Sequence, residues 1–474
     1  MTPAKEHKIS KRARLSYAIG SIAFGLKGLA LGLVMIFYNQ VMGLPAAWVS
    51  TVIGLALIVD AIVDPLIGHI SDNWDSRLGR RHPFMYLSAL PASIAVWALL
   101  NPPQGLSKES LVGYLMACTV SARVFISLFE IPNASLLPEL AKDYDDRTVL
   151  STYRSLAGLF FPIVVVMIAM SVIMTPFVNA QGQHMPGQLN ASGYASYGVL
   201  LGAVIFCSIM VSSIGTHGEI KTLHKPNRQA KWRTHFYTIR RTMSDPNFLA
   251  LSLAGMISGV GTGLVGGLTE YFNTYYWELS ASEISSLMGA ILISPIAAAI
   301  LGPFLGKRYG KKRVAIWNFF LSMFFGVLPI TLRLLDILPN NGSPVILGLL
   351  IVDSIFSVTL VIIGVILITS MMADVVEEVQ RKTGQRSEGL IFSADTMLKQ
   401  IVTGVGSMGT GVILDYISFP DKAVPGQVPA DVLHRMAVTY LPITIITSLF
   451  AIGAIAFYSI SRADHERNIL DAKL

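Results

Sequence analysis

The sequence predicts an all-α membrane protein: twelve transmembrane helices in two six-helix bundles, with both termini in the cytoplasm. Composition is the first observation. Of 474 residues, 53% are hydrophobic and 14% charged, whereas a soluble domain carries about 25% charged residues; the mean hydropathy is +0.58. The second is that apolar runs of about 20 residues or more, long enough to cross a bilayer, recur along the whole chain. The third is the placing of charge. With twelve spans and cytoplasmic termini, about 28 of the 36 Lys and Arg fall in cytoplasmic segments, as the positive-inside rule requires.

The spans are expected at about 15–42, 47–72, 83–102, 109–138, 149–177, 194–215, 245–277, 282–306, 313–335, 343–374, 388–416 and 433–461. The N-terminus is basic (Lys5, Lys8, Lys11, Arg12, Arg14). The apolar run that follows is longer than the core of a cleavable leader, so it is expected as the first span. Basic residues are densest at Arg77/Arg80/Arg81, in Lys221–Arg241 and in Lys307–Arg313, whereas residues 178–193 contain no Lys or Arg. Residues 216–244 are polar and basic and separate six spans from six. The expected organisation is therefore an N-terminal bundle over 1–215, a cytoplasmic basic linker over 216–244, and a C-terminal bundle with a short cytoplasmic tail over 245–474. The net charge of +7 is accounted for by this topology, not by nucleic-acid binding. Cys118 and Cys207 both lie in apolar runs and are expected as two free, buried thiols.

The halves repeat each other faintly. Gly68-x-x-x-Asp72 with Arg77-x-Gly79-Arg80-Arg81 follows span 2, and Gly306-Lys307-Arg308-Tyr309-Gly310-Lys311-Lys312-Arg313 follows span 8. Span 4 ends in Leu137-Pro138-Glu139 and span 10 in Met372-Ala373-Asp374. Matching features in two six-span halves mark parallel repeats, with substrate sites expected between them near the midplane.

Span 2 carries Asp60-Ala-Ile-Val-Asp64-Pro65. Residues i and i+4 share a helix face, and a mid-membrane Asp costs about 2.5–3.5 kcal/mol on insertion scales. Two on one stripe are expected to work as a pair. Like charges at this spacing push one carboxyl toward its neutral form, and a nearby lysine opposes that. Such a cluster can exchange a proton or cation for a lysine contact and so bias a conformational equilibrium.

These residues resemble the major facilitator superfamily and, within it, the glycoside–pentoside–hexuronide:cation symporters, the melibiose-permease-like group. The resemblance covers essentially the whole chain. It rests most on the Asp60/Asp64-Pro65 stretch with its Gly-Arg-Arg loop, Glu130-Ile131-Pro132 on span 4, Arg154 at the head of span 5 and Lys399 on span 11. It implies a carrier working by alternating access, with Asp60 and Asp64 at the cation and Lys399 facing them. Glu130 and Arg154 are then expected near sugar hydroxyls, and Gly68, Asp72, Arg77, Gly79, Arg80 and Arg81 form a cytoplasmic latch. Three departures stand out. Span 1 reads Phe24-Gly25-Leu26-Lys27-Gly28, with no sugar-gripping acid; Ala134 replaces an aromatic; and Val63 replaces an amide that supplies a sodium ligand.

Ser127 is a candidate hydroxyl ligand for the cation. Lys27 is placed to neutralise Glu130 or a substrate carboxylate. With Val63 offering no oxygen, the expected coupling ion is H+, with Na+ at Asp60 and Asp64 as the alternative and no cofactor. The Gly-x-Gly-x-x-Gly strings at Gly261–Gly266 and Gly404–Gly409 lie inside apolar spans, so they read as close-packing surfaces and not as dinucleotide loops. No nucleophile elbow or Cys/His cluster points to an enzyme. The expected function is cation-coupled symport of a sugar or glycoside by a monomer in a bacterial inner membrane. A carrier of lysolipid or another amphipathic solute and a non-transporting sensor are the alternatives.

Overall fold

The computed structural model describes residues 9–141, 143–222, 245–383 and 388–460. Most of the basic linker and the C-terminal tail named above lie outside the described residues. Among the described residues, eleven helices are long and apolar enough to cross a membrane, and a bent pair taken as one span makes the twelfth. In chain order they are α1 (Lys11–Leu29), α2 (Ala46–Asn73), α3 (His82–Leu99), α4 (Lys108–Leu140), α5 (Tyr144–Ile168) and α6 (Ala191–His217). Then follow α7 (Pro246–Tyr271), α8 (Ala281–Tyr309, with one 3₁₀ turn inside), α9 (Lys311–Leu334), α10 (Pro344–Thr383), α11 (Glu388–Tyr416) and α12 (Ala430–Ala456).

Apolar runs set these helices and polar caps set their starts. Ser107 accepts from Ser110 N at 3.2 Å ahead of α4, and Asn190 from Ser192 N at 3.1 Å ahead of α6. Asp245 accepts from Asn247 N at 2.9 Å beside Pro246, which opens α7, and Ser280 with Glu283 forms a capping box on α8. Each satisfies an otherwise orphaned first-turn amide.

The first span is not one straight helix. After α1 come a 3₁₀ turn (Ala30–Leu33), a short helix (Val34–Ile36) and a π turn (Phe37–Val41), bent by 43° from α1. Glycines at 28 and 32 weaken the helix there. A π turn (Phe272–Tyr276) also ends α7, so Phe37-Tyr38-Asn39 and Tyr271-Phe272-Asn273 match at the same place in the two halves.

By packing, the chain divides into two units. One comprises Met1–Val41, Ile62–Phe177 and Gly187–Gln229; the other comprises Met42–Ala61, Val178–Pro186 and Ala230–Leu474. Helix α2 is thus shared, its first half grouping with the second unit. In the first unit α1 packs on α4, α5 and α6, and α3 on α4 and α6. In the second, α7 packs on α10, α11 and α12, and α9 on α10 and α12. Every one of these first-unit pairs has its counterpart six helices later, which is the parallel repeat in three dimensions.

The core of the second unit joins α7, α9, α10 and α12 through Phe248, Leu251, Ala315, Met371, Val375 and Ile455. Close helix approach explains the glycine strings. A Cβ at Gly263 would collide with the Thr403 carbonyl, and one at Gly406 with the Val260 carbonyl. Neither cysteine forms a disulfide; Cys118 is half-buried, and Cys207 is exposed on α6 instead of buried as expected. An apolar thiol on a lipid-facing helix surface incurs no exposure cost, so hydropathy alone does not distinguish the two settings.

Candidate functional site

Asp60 lies near the middle of α2 and is 1% exposed. Its Oδ2 accepts a hydrogen bond from Gln400 Nε2 of α11 at 2.8 Å, a contact inside the second unit. The close approach of these helices is built from small residues, since a Cβ at Gly54 would collide with the Gly404 carbonyl. Asp64 follows one turn on, half-buried, just before Pro65. The two acids therefore share a helix face.

Lys399 was implied to face these acids. Its Nζ instead forms an ion pair with Asp395, one turn back on α11, and the adjacent Gln400 supplies the donor to Asp60. Asp395 is 5% exposed and also accepts from Ser252 Oγ of α7 at 2.7 Å. A lysine one turn from a carboxylate finds it at little entropic cost. Gly255 leaves the room this needs, because a Cβ there would overlap the Lys399 stem.

A second polar cluster lies inside the first unit. Lys27 is 8% exposed; its Nζ donates to Ser127 Oγ at 2.6 Å and stands 3.7 Å from Glu130 Oε2. Lys27 is thus ion-paired with Glu130 across α1 and α4. On the same face of α1, Phe24 lies under the Arg154 guanidinium, 5.3 Å from its ring centroid. This cation–π contact depends on the tight seam between α1 and α5, where a Cβ at Gly25 would collide with the Gly158 carbonyl. Lys27 with Ser127 and Glu130 of α4, and Arg154 of α5 over Phe24, thus border α1 with a mixture of cations, carboxylate and hydroxyl suited to a hydroxylated ligand.

The aromatic residues that follow α1 and those at the end of α7 are engaged within their own units. Tyr38 is fully buried and donates to the Leu99 carbonyl at 2.8 Å, while Tyr271 and Tyr275 both pack edge-on against Phe419, at 5.3 and 5.1 Å.

The loop after α2 forms a network. Arg81 is 5% exposed and donates to Asp72 Oδ1 at 3.1 Å and to the Ser135 carbonyl, and it lies 2.9 Å from Glu139 Oε1. Arg80 pairs with the same Glu139 oxygen. Burial, and then the charge of Arg80, hold the Arg81 guanidinium below its ordinary pKa, with Asp72 opposing. Gly79 turns the loop at φ +75°, where a side chain is strained. Arg77 is exposed, and a Cβ at Gly68 would meet Ile131 at ordinary contact distance.

Glu139, Asp395 and Gln400 were missed as site residues. A signal existed for Glu139 in the matched span ends. None existed for Gln400, because amides in apolar helices give no periodic pattern.

Twelve spans in a six-plus-six repeat, with acids and cations buried on the helices, define a polytopic membrane carrier. The family described as MFS/sugar transport protein matches residues 16–462, and the chain belongs to it. It is 23% identical over 454 residues to the isoprimeverose transporter of Lactiplantibacillus pentosus, covering 95% of this chain and 89% of that protein. It is 20% identical over 491 residues to the sodium-dependent lysophosphatidylcholine symporter 1 of Xenopus tropicalis, covering 98% and 90%. Among solved structures, a bacterial homologue of the iron transporter ferroportin in an inward-facing state shares the fold. Its TM-score is 0.63 at 13% identity, over 94% of this chain and 98% of that one.

Proposed function

We propose that the protein is a proton-coupled symporter that carries a sugar or glycoside by alternating access. In this reading it works as a monomer, in a bacterial inner membrane, with both termini cytoplasmic. The observation that carries the proposal is Asp60, a carboxylate 1% exposed within an apolar helix, one turn from a second acid and accepting from the Gln400 amide. A group that costly to bury is kept for exchange with an ion. Proton is favoured over sodium because Val63 offers no oxygen and Ser127 is engaged by Lys27. A sugar is favoured by the family's description and by the hydrogen-bonding groups along α1.

Uptake into proteoliposomes, with a panel of glycosides under separate proton and sodium gradients, tests both halves. Uptake should follow the pH gradient for at least one glycoside, and Asp64→Asn should abolish concentrative uptake. Uptake driven by sodium at fixed pH, and indifferent to a pH gradient, overturns proton coupling.

A second reading, carriage of a lysolipid, is favoured by the lysophosphatidylcholine symporter among the relatives. Lysolipid displacing every bound glycoside, with no glycoside accumulated, would establish it in place of the first.

A further inference from the structure

Asp353 lies on α10, about 14 Å along the helix from Pro344 and so near the middle of the bilayer. Its sequence surroundings are apolar, with Leu349-Leu350-Ile351-Val352 before it and Ile355-Phe356 just after. The residue is half-buried, and its Oδ1 is sealed from solvent with no hydrogen-bond partner among the described residues.

The other buried acids of the helices keep different company. Glu130 has Lys27, Asp395 has Lys399 and Asp374 has Lys311. Among the described residues no cation acts on Asp353, and from α7, α8, α9 and α11 no Lys, Arg, His, Asp or Glu faces it. Arg333 of α9 is engaged at the loop into α10, donating to the Pro339 carbonyl and to Asn341 Oδ1. The polar groups near Asp353 are Ser357, one turn on, and Tyr440 of α12. Tyr440 brings no donor, since its hydroxyl is directed to the Gly326 carbonyl of α9 at 3.4 Å.

A carboxylate at this depth keeps its charge only where cations or several donors repay its lost hydration. One hydroxyl does not. Binding a proton removes the charge and makes the group a donor. Ser357 Oγ is also sealed and without a partner among the described residues, and residues i and i+4 share a helix face. A protonated Asp353 donating to Ser357 Oγ therefore satisfies both groups at once.

We propose that Asp353 is a proton-binding carboxyl of this carrier, separate from the acids of α2. Its half-buried side chain leaves the proton a way in and out, and each exchange is a transfer between the carboxyl and water. Proton binding here does not depend on which ion Asp60 takes.

Infrared spectroscopy of the purified protein in lipid films, with and without Asp353→Asn, tests this. At about pH 6, where exposed aspartates are ionised, the wild type should show a protonated-carboxyl C=O band that Asp353→Asn loses. That band should shift on exchange into D2O and give way to a carboxylate band as the pH is raised. It should persist in Asp60→Asn/Asp64→Asn, and Asp353→Glu should retain it. Asp353→Asn exchanges one neutral group for another, so its thermal midpoint should match the wild type's. Should that variant fail to fold, Ser357→Ala removes the acceptor and should shift the band in frequency; an unshifted band overturns the proposal. Loss of a carboxylate band at about pH 6 in Asp353→Asn, in place of the acid band, shows the group ionised and overturns it too. So does disappearance of the acid band in Asp60→Asn/Asp64→Asn, which would put the proton on α2.

Discussion

Lys311 donates to both carboxylate oxygens of Asp374 at 2.7 Å, joining the first turn of α9 to α10. Six helices earlier, Arg81 lies 2.9 Å from Glu139 and joins the start of α3 to the last turn of α4. Each brace follows a glycine with positive φ, Gly79 at +75° and Gly310 at +86°. The same contact, built twice with different residue types, shows what the loop needs: a left-handed turn, a cation, and an acid in the C-terminal part of the next helix. A carboxylate buried against a cation costs desolvation that only the pair repays, so each partner depends on the other.

Glu139 should therefore be hard to replace. Its side chain is 9% exposed, and it faces both Arg80 and Arg81. Glu139→Gln leaves Arg80 without this carboxylate and Arg81 with Asp72 alone, and should cost roughly 3–5 kcal/mol. Thermal unfolding in detergent reads this as a large fall in midpoint. Asp72 is 50% exposed at its side chain, so Asp72→Ala should cost at most about 1 kcal/mol. If Asp72 belongs to a conformational latch, that variant slows transport and keeps ligand binding. Loss of binding together with transport would refute the latch.

The contrast between these acids shows what was legible in the sequence. The twelve spans, the repeat and the buried acids at 60 and 64 follow from hydropathy and helix period, which are local properties. The break after α1 did not stand out, because glycines at 28 and 32 sit in a run as apolar as any straight span. Neither did the choice of partners. Lys399 and Gln400 are adjacent on α11, and a side chain's partner depends on which face of the helix meets the neighbour. Here the glycine seam decides it: room at Gly255 admits the lysine stem, and contact at Gly54 and Gly404 brings the amide to Asp60.

Lys27 and Glu130 should be coupled. Lys27→Met removes the cation 3.7 Å from Glu130 and the donor to Ser127. Glu130→Gln removes the charge that Lys27 balances. Each single variant should lower stability, and the double variant should recover part of the loss, with a coupling energy of about 0.5–3 kcal/mol in a thermal-unfolding cycle. Additive losses would show that Ser127, not Glu130, holds the lysine.

The amide at Gln400 should tune ion binding at Asp60. A hydrogen bond to a charged, buried acceptor contributes about 1.5–3 kcal/mol. Gln400→Leu deletes the 2.8 Å donor and keeps an apolar volume at the helix contact. The concentration of coupling ion that half-saturates uptake should then shift by roughly 10- to 150-fold. Counterflow, which needs no net ion movement, should survive. An unchanged ion dependence would place the coupling site away from Asp60.

Gly255 offers the sharpest test of what Lys399 does. A Cβ there overlaps the lysine stem, and because that stem is flexible, the easier outcome of Gly255→Ala is displacement of the ammonium from Asp395, not separation of α7 from α11. Asp395 is 5% exposed and would keep the Ser252 hydroxyl, at 2.7 Å, as its cross-helix donor among the described residues. Gly255→Ala should thus behave like Lys399→Met in transport, with both variants altering the dependence of uptake on the ion gradient to a similar degree. In the Lys399→Met background the methionine stem is shorter and uncharged, so adding Gly255→Ala should cost little more. If the two losses instead multiply, the glycine acts through helix packing, and the Lys399–Asp395 pair is structural.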